Sequence, residues 1–495
     1  MTERLIITTA GSSPIELDLY PKTKVAMTFS LNDISDISNR NSTYSNTIKI
    51  PKTGNNIAAF KNLGTIGEAN GLAYTQVPCD YYIGYTLIIS GGFLQIMGYD
   101  DKNYNCALFN GILSLEQILG GQKLIDLDNS NLTHTRSITT VRSNRQNTEN
   151  FTYPLYSPSA STTIRWPLSP PTYWHVTDAQ PVLFVHTLLT RIISQAGYTY
   201  SGDIFSDAGF LKEVITLRSA QTIYSNADFF NGSAEDEIIM PDISQINFLK
   251  DILQRYGQVV RLQDGQLQFI NIDSLISGDI GVNDWSDKYA GSTQVKYDSK
   301  YAEDNIFTFS YSNEDDNYSA GDGSLLVANT NLQAEKTQYN SPMDWLSNKV
   351  AVFYDRASVA KTDIHEILMY DEVEAKPISI TPALYKVEWA PTYAYIVSTE
   401  TNTSPTDTDG VYFLDDSETT MAYYLTNYYA KFETLLNSYK VVTVNLNLTT
   451  MDIAQLDLFK LIFLKQTGKR YYINKLRTRG TVTQATLTEI PTNIN

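Results

Sequence analysis

The side chains able to do chemistry are few and thinly spread. Histidine occurs four times, at positions 134, 175, 186 and 365, and no two stand at a spacing that would bring them onto one metal ion. His365 and Glu366 open the run HEILM, but Met369 stands where a zinc-protease helix needs its second histidine. His186 falls inside an apolar helical run, where a packed imidazole is a commoner outcome than a ligand. No G-x-S-x-G elbow is present, and neither Cys79 nor Cys106 has a histidine that sequence can nominate as its base. GSLLVANT and GTIGEANG lack both the lysine of a phosphate-binding loop and the strand-to-helix dinucleotide pattern.

Carboxylates leave one opening, because a glycosidase needs only two of them at a suitable separation. Asp100 with Asp101, and Asp315 with Asp316, are the adjacent pairs. Solvated loop faces explain such pairs far more often, since like charges repel and prefer water. TDTDG at 406–410 and DLDNSN at 126–131 offer oxygens to calcium, yet neither has the distal glutamate of an EF-hand loop. The reading is therefore of a non-enzyme, with no catalytic, cofactor-binding or metal-binding residue assigned and no cofactor expected.

The chain that must position anything these residues do has 495 residues, more than one hydrophobic core normally supports. At roughly 100–200 residues per domain, about three domains are expected. Hydrophobic residues make up 42% and charged residues 18%, which excludes disorder. A net charge of −17, from 54 acidic and 37 basic residues, disfavours nucleic acid and anionic membrane as partners. Tyrosine is abundant, 34 against 19 Phe and 5 Trp, which fits half-buried strands and interfaces equally well. Two cysteines cannot staple a chain of this size and read as free thiols. The first residues lack a basic region followed by an apolar run, and no stretch of about 18 apolar residues occurs, so membrane insertion is not expected.

The fold class read from the pattern is α+β, predominantly β, with barrel or sandwich domains on either side of a helix-plus-hairpin α/β region. Residues 1–130 form an N-terminal β domain of short alternating strands, including a hairpin TLIISGGFLQIM turning at Gly91-Gly92. Residues 131–180 hold the proline-rich stretch PLYSPSASTTIRWPLSPPTYW and read as a connection or insertion. Residues 181–290 begin with a helix opened by Pro181 and closed before Gly197. A second helix follows, capped by Asp242 or Ser244 and ended by Gly257, and runs into a hairpin turning at Asp264-Gly265. Residues 291–495 form a C-terminal β domain with exposed, mobile acidic loops, SNEDDNYSAGDGS and TNTSPTDTDG, and one long helix, TTMAYYLTNYYAKFETLLNSY.

Three of these stretches together resemble bacteriophage tail hub proteins. ISQINFLKDILQRYGQVVRLQDGQLQFINIDSLI is similar to that family's short helix carrying a Phe-Leu pair, which runs into a glycine and a hairpin. VLFVHTLLTRIISQAGYTYSGDIF is similar to the helix-then-strand unit that precedes it, and LDLFKLIFLKQTGKRYYINKLRTRGTVTQATLTEI to the terminal barrel strands. The run DISDISNRNSTYSNTIKIPKTGNNIAAF also resembles the N-terminal region of tail proteins from phages of Bacteroidetes hosts, through Pro51, Thr53, Asn56 and Phe60.

The resemblance implies paired β-barrel domains bridged by an α/β region, a homotrimer, and contacts to tube, distal tail and fibre or spike proteins. The expected role is a structural virion protein of the tail, a baseplate hub that closes the tube during host attachment and is assembled in the host cytoplasm. Two rivals remain open: a receptor- or carbohydrate-binding tail protein, for which PPTYWH offers stacking aromatics, and a glycan-cleaving enzyme.

Overall fold

The computed structural model describes residues 2–8, 13–21, 23–30, 43–45, 47–63, 72, 75, 77–110, 119, 121–128, 132, 134–135, 137–154, 172–175, 181–216, 226–227, 243–263, 265–296, 302–309, 323–326, 333–341, 383–397, 409–415, 418–479 and 482–492. Strands dominate, with shorter helices between them, so the chain is α+β and predominantly β.

The largest element is a fourteen-stranded sheet to which both ends of the chain contribute. Strands Ile15–Leu17, Glu3–Ile7, Val77–Ile83, Thr86–Tyr99, Asn103–Asn110, Thr43–Ser45 and Met27–Ser30 make one half. Lys469–Arg479, Val482–Ile490, Val441–Asn447 and Gln294–Lys296 continue it. The joint is antiparallel, with Phe29 opposite Leu476 and Met27 opposite Thr478. One apolar core follows the sheet across that joint: Leu5, Ile50, Leu94 and Leu108 belong to it together with Val444, Ile473 and Leu487. Alternation does this work, because every second residue of a strand faces the same side.

The second core is largely helical and holds Leu188, Ile192, Phe248, Ile252, Leu275, Tyr424, Phe432 and Leu435. Its helices include Val185–Gln195, Gln245–Arg255, Ile272–Ser277, Met421–Tyr428 and Ala430–Asn437. A three-stranded sheet covers part of it, with Gln266–Asn271 between Gln258–Gln263 and Thr199–Gly202. Tyrosine serves these cores heavily, and Tyr81, Tyr104, Tyr153, Tyr256, Tyr424, Tyr429, Tyr471 and Tyr472 are among the largest fully buried side chains.

Several local expectations hold. The hairpin at 264–265 forms, with Gln263 opposite Gln266 and Gly265 at φ 76°; Asp264 lies outside the described residues. Ser244, not Asp242, caps the Gln245–Arg255 helix by accepting from the Asn247 N–H at 3.3 Å. Gly197 and Gly257 follow their helices at φ 82° and 55°, the left-handed region glycine enters without penalty. Both cysteines are buried free thiols.

Three expectations are corrected. Gly91-Gly92 is no hairpin turn, because Thr86–Tyr99 runs through it as one strand. Cys79 lies opposite Gly92 and Tyr81 opposite Ile89, so the longer strand carries an extra residue, a β-bulge that Gly91 accommodates at φ 61°. The turn of that hairpin is at Gly84-Tyr85 instead.

Pro181 does not open a helix. Val182–Phe184 is a buried strand between Phe151–Thr152 and Glu213–Thr216, and the helix starts at Val185.

The single long helix after Thr419 is two helices, Met421–Tyr428 and Ala430–Asn437, broken at Tyr429 with φ −132°. Tertiary contacts stabilise the break. Tyr429 donates its hydroxyl to the Gln254 carbonyl, while the Asp273 carboxylate accepts from Lys431 N and Phe432 N, both at 3.1 Å, capping the second helix from outside.

Residues 155–171 of the proline-rich stretch, and nearly all of the two acidic loops, lie outside the described residues.

Candidate functional site: a buried charged junction

The densest polar chemistry among the described residues sits in the helical core, where three distant parts of the chain meet. On the Gln245–Arg255 helix, Asp251 and Arg255 are four residues apart and so share a face. Arg255 Nε lies 2.8 Å from Asp251 Oδ2, and both side chains are fully buried. Glu213 begins a strand whose neighbours Val214 and Ile215 are also buried, and its Oε1 lies 2.6 Å from Arg255 Nη1. That contact is an ion pair; Glu213 Oε1 and Arg255 Nη2 have no hydrogen-bond partner.

Two tyrosines complete the junction. Arg255 Nη1 donates to the Tyr424 hydroxyl at 2.9 Å, and Tyr424 donates to Glu213 Oε2 at 3.1 Å. Tyr256 donates to the same carboxylate oxygen. The two phenol rings meet edge to face at 5.2 Å between centroids, and Tyr428 packs on Tyr256 at 5.0 Å while donating to Asp207 Oδ2 at 3.0 Å. Close behind, Lys386 is buried, holds Glu418 at 3.0 Å and lies 4.4 Å above the Tyr423 ring.

The electrostatics follow from burial. Burial and the Glu213 charge push Tyr256 and Tyr424 well above the usual phenol value. Burial pulls Arg255 down, but the Asp251 and Glu213 carboxylates outweigh it and hold the guanidinium charged. Among the described residues Arg255 thus faces both carboxylates, and the two phenols donate to Glu213 as well. Since the Arg255, Glu213 and Asp251 side chains have no exposed surface, no substrate reaches them; the junction can lock elements together but cannot turn over a ligand.

The residues singled out from sequence lie elsewhere. His134 is bound between the Leu132 carbonyl (Nδ1, 2.6 Å) and the Tyr153 hydroxyl (Nε2, 2.5 Å), stacked on Phe151. His186 is buried beside Phe184 and Phe210, its Nδ1 unbonded. His175 is in a strand paired with Ala394–Val397, and His365 lies outside the described residues. Asp100 closes the turn between two strands by accepting from Lys102 N and Asn103 N at 2.9 and 2.7 Å. Asp315 and Asp316 lie outside the described residues, as do 406–408 and 129–131 of the two calcium-like runs. Among the described residues no three His, Cys, Asp or Glu side chains converge as a metal site, and no helix is long and apolar enough to cross a membrane.

Sequence reading did not find Glu213. A lone acid in KEVITL looks like a solvent-facing strand residue, and only its pairing with Arg255 reveals it.

Thr53, Asn56 and Phe60, which carry the N-terminal likeness, are structural. Thr53 caps the Gly54–Ala59 helix. The buried Asn56 amide accepts from Asp18 N at 2.9 Å and donates to the Asp18 and Pro51 carbonyls at 2.9 and 2.8 Å, while Phe60 meets Tyr104 edge to face at 4.7 Å.

No protein-family model and no curated protein matches this chain. Among solved structures it is similar to the 43 kDa tail protein of prophage MuSo2 from Shewanella oneidensis, with 8% identity, 98% of this chain and 97% of that chain covered, and a TM-score of 0.36. It is also similar to prophage tail protein gp18 from Listeria monocytogenes EGD-e, with 10% identity, 98% and 94% covered, and a TM-score of 0.35. A chain of the phage P2 baseplate in its activated conformation with Ca is similar at 7% identity, 99% and 100% covered, and a TM-score of 0.22.

Proposed function

We propose that this chain is a structural subunit of a phage-type tail, a baseplate hub that closes the tail tube and connects it to fibre or spike proteins during host attachment. Its work is geometric: it holds a shape, repeats one interface in a closed ring with tube and distal tail proteins as neighbours, and breaks no bond. On this reading it is a homotrimer in the virion tail, assembled in the host cytoplasm.

The observation that carries the reading is how the stretches resembling tail hubs meet. The helix Gln245–Arg255, bearing Phe248 and Leu249, ends at Gly257 and runs directly into the Gln258–Asn271 hairpin. The helix Val185–Gln195 runs into Thr199–Gly202, which pairs parallel with Gln266–Asn271. Two segments well apart in sequence thus build one three-stranded sheet over a shared helical core. The third stretch forms antiparallel strands Leu461–Leu464, Lys469–Arg479 and Val482–Ile490. The net charge of −17 suits a ring whose inner wall repels DNA and lets it slide.

Light scattering of the purified chain across a concentration series, alone and with candidate tail proteins, tests this. A discrete trimer, or a ring that forms only with a tail partner, supports the hub. A monomer indifferent to every tail protein but retained on host glycans points to the receptor-binding reading instead, and polysaccharide turnover to the enzymatic one.

A further inference from the structure

His186 is a buried imidazole placed where a proton is hard to hold. It is the second residue of the Val185–Gln195 helix and packs on the rings of Phe184 and Phe210, at 5.4 and 6.4 Å between centroids. Its Nδ1 is buried and has no hydrogen-bond partner. A neutral ring tolerates that position, because one of its nitrogens carries only a lone pair. A protonated ring does not: both nitrogens are then donors, and Nδ1–H has no acceptor. The charge would also lie among apolar rings in the first turn of a helix, where the backbone dipole opposes a cation. Burial accordingly pulls the ring below its ordinary 6.5, while Glu149 acts the other way.

Glu149 is exposed and is the acid that acts on this ring. It precedes Asn150, whose N–H donates to Thr187 Oγ1 at 2.8 Å and whose carbonyl accepts from Phe184 N at 3.1 Å. The loop carrying Glu149 is thus fastened to the residues on both sides of His186. The other charged groups on the elements around this helix are held elsewhere. Arg191 donates to the Asp128 carbonyl and Asn150 Oδ1, and Arg145 to the Arg142 carbonyl. Asp207 accepts from Phe210 N and Tyr428, Glu213 pairs with Arg255, and Lys386 pairs with Glu418. Lys212 is a cation and offers the ring no acceptor. Strands Val182–Phe184 and Thr199–Gly202 carry no charged residue.

We propose that His186 is an acid-operated switch: on taking up a proton its ring leaves Phe210 and pairs with the Glu149 carboxylate, releasing the short Ala208–Leu211 helix. That helix is the element with most to lose. It has a single turn, Asp207 caps it, and its Phe210 ring meets His186 on one side and Tyr256 at 5.1 Å on another. The same Asp207 accepts from Tyr428, so release of Ala208–Leu211 reaches the outer side of the buried charged junction. A histidine is suited to this task because its charge changes in the mildly acid range, which the other buried groups of the junction do not sense. The switch stands on the fold alone and is independent of the hub reading.

The test uses the full chain. Amide hydrogen exchange read by mass spectrometry follows the Phe210, Leu211 and Lys212 amides, which bond to Asp207 and Gly209. Protection there is expected to fall at least about tenfold between about pH 7.5 and pH 5.5, after correction for the intrinsic exchange rate, while the core strands keep theirs. His186→Leu is expected to abolish that fall. In parallel, the histidine ring carbons are titrated by NMR, where only four histidines contribute signals. Glu149→Gln, an exposed substitution that leaves the core untouched, is expected to move the His186 midpoint to more acid pH and the loss of protection with it. Protection that does not change with pH in the wild type overturns the switch. So does an equal loss in His186→Leu, which would assign the acid response to another group. A His186 midpoint unmoved by Glu149→Gln removes the carboxylate as the partner and overturns the pairing on which release depends.

Discussion

Arg255 Nη1 lies 2.6 Å from Glu213 Oε1 with both side chains fully buried, tying the strand at 213 to the helix ending at 255. Because Asp251 holds the same guanidinium, removing it takes the cation that both buried carboxylates share. Breaking a buried ion pair from one side costs about 3–5 kcal/mol, mainly as uncompensated charge. Arg255→Met is expected to lose that much stability in urea unfolding, whereas Glu213→Gln, which keeps an acceptor for Tyr256 and Tyr424, is expected to lose less. Equal, small losses below about 1 kcal/mol would show that the junction does not lock these elements.

Gly91 and Gly92 are expected to respond differently to alanine. At Gly92 a Cβ would lie 2.6 Å from Ile89 Cγ2 and 2.9 Å from the Phe109 carbonyl, so Gly92→Ala forces strands apart at a cost of about 1–3 kcal/mol. At Gly91 nothing lies within 4 Å, and the penalty of Gly91→Ala is the φ of 61° alone, about 1–2 kcal/mol. Thermal melts of both variants check this. The bulge is wrong if Gly92→Ala is harmless.

The thiols give an alkaline signature. Burial is the main cause that pushes both Cys79 and Cys106 up to about 12 from an ordinary value of 9.0. The folded chain then keeps protons that the unfolded chain releases, so this contribution is complete below about pH 9 and is lost as pH rises from 9 toward 12. Iodoacetamide at pH 8.5, a condition of about half a unit below the free thiol value, is expected to label neither cysteine in the native chain and both in urea. Rapid native labelling would place the thiols at the surface.

His186 gives the opposite limb. Burial pulls its imidazole below the ordinary 6.5, with Glu149 pulling weakly the other way. The unfolded chain therefore binds the proton more readily, and stability present above about pH 6.5 is lost as pH falls below it. His186→Leu is expected to flatten the dependence of the urea midpoint between about pH 6.5 and 5. An unchanged slope assigns the acid limb to other groups.

Local instructions were legible in the sequence wherever a few neighbouring residues carry the physics. Ser244 supplies a cap, Gly197 and Gly257 enter left-handed backbone, Phe248, Leu249, Ile252 and Leu253 repeat at helical spacing, and Gly265 makes a tight turn between alternating strands. Each of these preferences acts over one or two turns of chain, so it survives being read one residue at a time.

What only the tertiary structure decided depends on residues far apart. Gly91-Gly92 can turn a hairpin or relax a bulge, and the partner strand, with Cys79 opposite Gly92, selects the bulge. The helical run through Tyr429 is broken because Asp273 and Gln254 offer hydrogen bonds that one continuous helix would forgo. Phe29 finds Leu476, and Glu213 finds Arg255, through burial and charge pairing that no local pattern encodes. Helix caps and tight turns are settled by short-range backbone energetics; sheet order and a buried ion pair are settled by which distant surfaces exclude water together, and that is known only once the chain has folded.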